Sequence, residues 1–171
     1  MVKSKKLSNI SILTGIACAM YVVESFIPLP MPLPGVRWGF SNLPVLLAAV
    51  LGYGILPCAM IAFGKSFIGA LLSGRIASAT FFMGLSGSIA SALFMGWLKK
   101  HVPKVGTIGI SELGALLNNT VQILIAGLIL GNSKAVFYYY PYLVLIGTVT
   151  AYLLAVVSNI FLRSMNHDAK V

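Results

Sequence analysis

Lys65 is the residue most able to do chemistry in this chain, because it stands inside the apolar run Ile55–Ser73. An ammonium at that depth in a hydrocarbon environment costs several kcal/mol or more, so it needs a partner or a wet cavity. Glu24 is the only acid within plausible reach along the chain. Two readings follow, and they are compatible: a structural Lys65–Glu24 ion pair, or an anchor for an anionic group of a ligand. A second group is Asn118, Asn119 and Gln122. Asn118 and Gln122 are one helical turn apart on one face and can point together into a bundle. Amides there either bond between helices or meet a polar, heterocyclic ligand. The third is the aromatic run Phe137, Tyr138, Tyr139, Tyr140 and Tyr142. It reads as an interfacial belt or as a lid that stacks on a flat ligand, with Arg37, Trp38 and Arg75 on the same side.

Other chemistry is nearly excluded by what is missing. The acids are Glu24, Glu112 and Asp168. Aspartate-rich sites for Mg²⁺ and diphosphate, and paired-carboxylate hydrolysis, need more than these. Cys18 and Cys58 lie in apolar runs and His101 and His167 in polar ones, with no spacing that makes a metal site or implies a cofactor. Gly64-Lys65-Ser66 has neither the upstream glycine spacing nor the preceding strand of a phosphate-binding loop, so the chain does not itself hydrolyse ATP.

The elements that must position these residues are set by composition. In 171 residues, 58% are hydrophobic and 9% charged, against roughly 25% charged in soluble domains. Mean hydropathy is +0.96. The chain is an integral membrane protein with room for one domain over residues 1–171. Spanning the hydrocarbon takes about 20 helical residues, and six segments can be drawn. They run about Ser8–Ile27, Trp38–Gly54, Ile55–Ser73, Ser78–Leu98, Ser111–Gly131 and Tyr142–Arg163. Pro28-Leu29-Pro30-Met31-Pro32-Leu33-Pro34-Gly35 forbids helix after the first. Gly52-Tyr53-Gly54 with Pro57 turns the second into the third, and Lys99–Ile110 is a basic loop. Alternation of strand type is absent, which excludes a β-barrel.

Charge placement sets orientation. With both termini on one side, that side holds Lys3, Lys5, Lys6, Lys99, Lys100, Lys104, Arg163 and Lys170, against Arg37, Arg75 and Lys134 on the other. The richer side is cytoplasmic, and the net charge of +9 is a topology signal rather than a nucleic-acid one. The apolar run after Lys3, Lys5 and Lys6 continues past Gly15-Ile16-Ala17-Cys18, so it reads as a retained helix rather than a cleaved leader. On that helix Ser11, Gly15 and Ala19 are spaced by four. Small residues so spaced let another helix backbone approach, either within the chain or from another membrane subunit. Gly84, Gly87 and Ser91 form a similar face on the fourth helix, read as internal packing.

Several of these motifs carry a family resemblance over most of the chain. The small-residue first helix, the proline-rich outer loop, Gly39-Phe40-Ser41-Asn42-Leu43-Pro44-Val45-Leu46-Leu47 and Gly64-Lys65-Ser66-Phe67-Ile68-Gly69-Ala70-Leu71-Leu72-Ser73-Gly74 resemble the substrate-binding S components of energy-coupling factor (ECF) transporters. Glu24-Ser25-Phe26-Ile27-Pro28 and Asn118-Asn119-Thr120-Val121-Gln122 narrow the resemblance to the Gx transporter subgroup, often labelled heptaprenyl diphosphate synthase component I. Asn118 departs from it, standing where histidine is common. The resemblance implies a six-helix bundle in a bacterial cytoplasmic membrane, binding a small vitamin-like or other nutrient from outside. It also implies a membrane coupling protein and two cytosolic ATPases as partners, docked on Ser11, Gly15 and Ala19. Serine and glycine there replace the family's usual alanines. The implied pocket lies in the outer half, where Lys65, Asn118, Asn119, Gln122, Arg37, Trp38, Arg75, Tyr138 and Tyr139 fall. A non-catalytic membrane subunit for polyprenyl diphosphate synthesis, or an anchor for a redox partner, is the alternative.

Overall fold

The computed structural model describes residues 2–27, 37–131 and 137–168. The proline-rich segment expected after the first helix, and Lys134 and Lys170 of the charge count, lie outside the described residues. Among the described residues six α-helices follow in chain order: α1 (Val2–Ser25), α2 (Leu43–Val50), α3 (Ile55–Leu72), α4 (Ala79–His101), α5 (Thr107–Leu130) and α6 (Tyr140–Asp168). A 3₁₀ turn, Phe40–Asn42, precedes α2, and no strand occurs among the described residues.

Five of these helices are long and apolar enough to cross a membrane; α2 is not. The span expected over Trp38–Gly54 is corrected here. Its eight helical residues reach only about 12 Å at about 1.5 Å each. The cause is local. Gly39 takes a left-handed φ of 91° and Pro44 lies in the first turn, so regular helix cannot begin before Leu43. Gly52 and Gly54, with φ of 72° and 100°, then reverse the chain into α3. What remains is apolar all round and is packed on every side: Val45, Leu46, Ala48 and Ala49 are essentially inaccessible, and α2 touches α1, α3, α4, α5 and α6. It is a short apolar plug enclosed by the bundle.

Around this plug, α1 lies on α3, α3 on α4, α4 on α5 and α5 on α6. Close approach is written into small residues, because lipid gives apolar helices no drive to associate. A Cβ on Gly64 would sit 2.7 Å from Thr14 Cγ2, and one on Gly69 would overlap the Tyr21 ring. Thr14 and Tyr21 are two turns apart on one face of α1, and Ala17 and Glu24 continue that buried face. The basic connection expected over Lys99–Ile110 is shorter, since α4 runs to His101 and α5 begins at Thr107.

The apolar interior forms three clusters. The largest joins Ile10, Ala17, α2, Cys58, Ile61, Met95, Ile110 and Leu154. A second gathers Met83, Ile123, Ala126 and Leu143, and a third Tyr21, Ala70 and Phe81. Polar side chains occupy the ground between them.

Candidate functional site

Glu24 on α1 and Lys65 on α3 are both buried, 4% and 2% exposed. They meet through the 3₁₀ turn. Ser41 donates to Glu24 twice, from its backbone N–H to Oε1 at 3.2 Å and from Oγ to Oε2 at 2.8 Å. Lys65 Nζ donates to Asn42 Oδ1 and, at 3.4 Å, to Ser41 Oγ. The expected pairing of Lys65 with Glu24 is therefore mediated, with the Ser41 hydroxyl standing between the charges. Buried charges persist only when paired and hydrogen-bonded, and this arrangement supplies both requirements. It is also why Gly39 must turn where it does: the turn delivers Ser41 and Asn42 into the gap between α1 and α3.

Arg37 and Trp38 enter from the same side, just before that turn. The Arg37 guanidinium lies 3.6 Å from the centroid of the Tyr21 ring and its Nη2 donates to the Tyr21 hydroxyl. Trp38 stacks on Phe40 at 6.2 Å. Two neighbouring voids open below them. The larger is lined by Arg37, Trp38, Asn42, Asn118 and Asn119 with an apolar wall of Leu46, Met95, Leu143, Ile146 and Leu154. The smaller is lined by Tyr21, Glu24, Ser41, Lys65, Ser88 and Gln122, and shares Arg37, Gly39, Asn42 and Asn118 with the first.

Three buried polar atoms on this lining have no partner among the described residues: Arg37 Nη1, Trp38 Nε1 and Asn118 Oδ1. Leaving such a group unsatisfied costs about 1–3 kcal/mol each, so three together mark a place built to receive something polar. Asn118 and Gln122 reach the voids because Gly87 of α4 lets α5 come close. A Cβ at Gly87 would lie 2.8 Å from Asn118 Oδ1 and from Gln122 Cγ. Asn119 is committed elsewhere, donating from Nδ2 to the Leu143 carbonyl at 2.9 Å and so tying α5 to α6.

The remaining expected site residues are not brought to these voids. Arg75 donates to the Ser25 carbonyl at 3.1 Å on the surface. Tyr138 is 73% exposed and packs edge-to-face on Tyr139, and neither lines a void. Tyr140 instead bonds Thr120 at 2.7 Å and joins the second apolar cluster. Ser11, Gly15 and Ala19 are exposed, and no atom lies within 4 Å of where a Gly15 Cβ would be. Nothing in the chain covers that face among the described residues.

One family model, heptaprenyl diphosphate synthase component I, matches residues 13–161. The chain belongs to this family. No curated protein and no solved structure matches it. The matched stretch of the component I family contains every residue that lines the two voids.

Sequence reasoning gave no site role to Tyr21, Ser41, Asn42, Ser88, Ser111 or Thr150, and read Ser91 as internal packing; all seven line the two voids. Tyr21 could have been found, since it lies one turn before Glu24 on α1. Ser41 and Asn42 stood inside a quoted motif, but their role depends on the turn at Gly39. Ser111 donates to the Ala151 carbonyl at 2.8 Å, and nothing in its sequence neighbourhood signals that crossing.

Proposed function

We propose that this member of the component I family is the membrane-embedded substrate-binding subunit of an ECF-type importer. It captures a small vitamin-like nutrient from outside and delivers it through a membrane coupling protein driven by two cytosolic ATPases. The observation that carries this reading is the pair of voids whose lining holds three unpartnered polar atoms. A concave site walled by apolar side chains with a few polar groups is the form small-molecule sites take. It lies at the end of the bundle that carries Arg37 and Arg75, the poorer side in lysine and arginine and hence the outer one. Both termini are then cytoplasmic and the membrane is the bacterial cytoplasmic membrane. The uncovered Ser11, Gly15 and Ala19 face supplies a docking surface for the coupling protein.

The family's name favours a second reading, a subunit of polyprenyl diphosphate synthesis. A catalytic role in that reaction ordinarily uses clustered aspartates with Mg²⁺, and Asp168 is the single aspartate in this chain. A non-catalytic membrane subunit is the form in which that reading survives. Affinity capture of the tagged chain from its own membranes separates the two. The importer reading expects a membrane coupling protein and two ATPases, lost in Gly15→Leu while the bundle stays folded. Strict capture of a soluble prenyl synthase, unaffected by Gly15→Leu, would replace it.

A further inference from the structure

The charges on the cavity lining are uneven in a way that selects a ligand class. Among the described residues lining the two voids, the charged side chains are Glu24, Arg37 and Lys65. Glu24 and Lys65 are joined through Ser41 and compensate each other. Among the described residues Arg37 meets only the face and hydroxyl of Tyr21, which attract a cation without neutralising it. One positive charge is left over on a half-buried side chain, with Nη1 buried and unpartnered among the described residues. Trp38, the next residue, offers a second buried N–H with no acceptor among them.

We propose that the cavity takes a small molecule bearing a single carboxylate on an apolar body, with the carboxylate held by Arg37 and Trp38. A carboxylate has two acceptor oxygens and no donor, which suits two unpaired N–H groups, and its one charge balances the one in excess. A phosphate monoester carries about −1.5 to −2 and would leave the site negative. A neutral carbonyl would satisfy the donors but strand the arginine. Leu46, Met95, Ile146 and Leu154 receive the body, and Asn118 Oδ1 accepts from a hydroxyl or amine on it. The proposal rests on the importer reading for the ligand's entry and fate, and on the cavity alone for its chemistry.

The probes are benzoate, benzamide and phenyl phosphate, which share a ring and differ in charge. Binding is read as protection of the full chain in detergent against thermal unfolding at neutral pH. Benzoate is expected to protect at millimolar concentration, with benzamide and phenyl phosphate about tenfold or more weaker. Arg37→Gln should lower benzoate affinity about tenfold or more, Arg37→Lys should retain part of it, and Arg75→Gln should leave it unchanged. No protection by benzoate, equal protection by benzamide, tighter binding of phenyl phosphate, or an indifferent Arg37→Gln each overturns the assignment. A neutral molecule found in the purified protein by native mass spectrometry would overturn it too, while leaving the importer reading in place. Capture of a prenyl synthase instead of the transport partners would remove the importer reading without touching the benzoate result.

Discussion

The Arg37 guanidinium lies over the Tyr21 ring, 3.6 Å from its centroid, and so fastens the segment that leads into the 3₁₀ turn onto α1. A half-buried cation–π contact of this kind contributes about 1–2 kcal/mol. Tyr21 also fills the space left by Gly69 of α3, so one side chain sets both the helix crossing and the position of the arginine. Tyr21→Leu should keep the α1–α3 packing largely intact but release Arg37. The expected result is benzoate affinity lowered by about three- to thirtyfold with a smaller loss of thermal stability. Loss of stability with unchanged affinity would show that Arg37 is placed by other contacts.

Ser41 is the bridge between two buried charges, which makes its hydroxyl more important than either neighbour's bulk. Ser41→Ala should destabilise the bundle by about 1–3 kcal/mol, since both Glu24 and Lys65 lose a partner. Lys65→Met should be similarly harmful because it leaves Glu24 uncompensated, and adding Glu24→Gln should recover part of the loss. Thermal unfolding in detergent measures all of these. A double variant no more stable than the worse single one would mean that the residues do not act as a unit.

Gly87 admits Asn118 and Gln122 to the cavity. Gly87→Ala places a methyl group 2.8 Å from Asn118 Oδ1 and from Gln122 Cγ, so α5 must move outward. Gly106, which precedes α5, has nothing within 4 Å of its Cβ position, lines neither void and is the control. We expect Gly87→Ala to reduce retention of any co-purified molecule and Gly106→Ala to preserve it. Equal retention in both would place the ligand away from the α4–α5 crossing.

Gln122 lines the smaller void, and Tyr139 lines neither. Gln122→Leu should weaken binding of a co-purified molecule by about tenfold to a hundredfold, the cost of about 1–3 kcal/mol for one lost buried partner. Tyr139→Ala should leave equilibrium affinity within about threefold, consistent with an interfacial role. Titration on purified variants decides between them; the opposite ranking would restore the tyrosines as a lid.

Much of the bundle is legible because membrane helices must be long, apolar and internally hydrogen-bonded. That is why α1, α3, α4, α5 and α6 fall where hydropathy puts them. The second segment misleads because Trp38–Gly54 is as apolar as a true span. Only the backbone choices at Gly39 and Pro44 reveal that its first residues form an irregular turn. Lys65, Asn118 and Gln122 stand out in sequence because polar groups are expensive in an apolar run. Tyr21, Ser88 and Ser111 do not, since a tyrosine or a serine in a helix is unremarkable until its neighbours are known. Arg75 and the tyrosines at 138 and 139 share the cavity's end of the bundle but not its depth, and residue type cannot separate those two placements.

The central claim is that the space beneath Arg37 and Trp38 holds a small molecule. Native mass spectrometry of the chain purified from its own membranes tests it, compared with Ala115→Phe, which puts a ring into the larger void from its α5 wall. The account predicts a bound small molecule in the wild-type protein, displaced in Ala115→Phe, with both proteins folded and helical to the same extent. The same molecule retained equally in Ala115→Phe, or no bound molecule in the wild type, would contradict it.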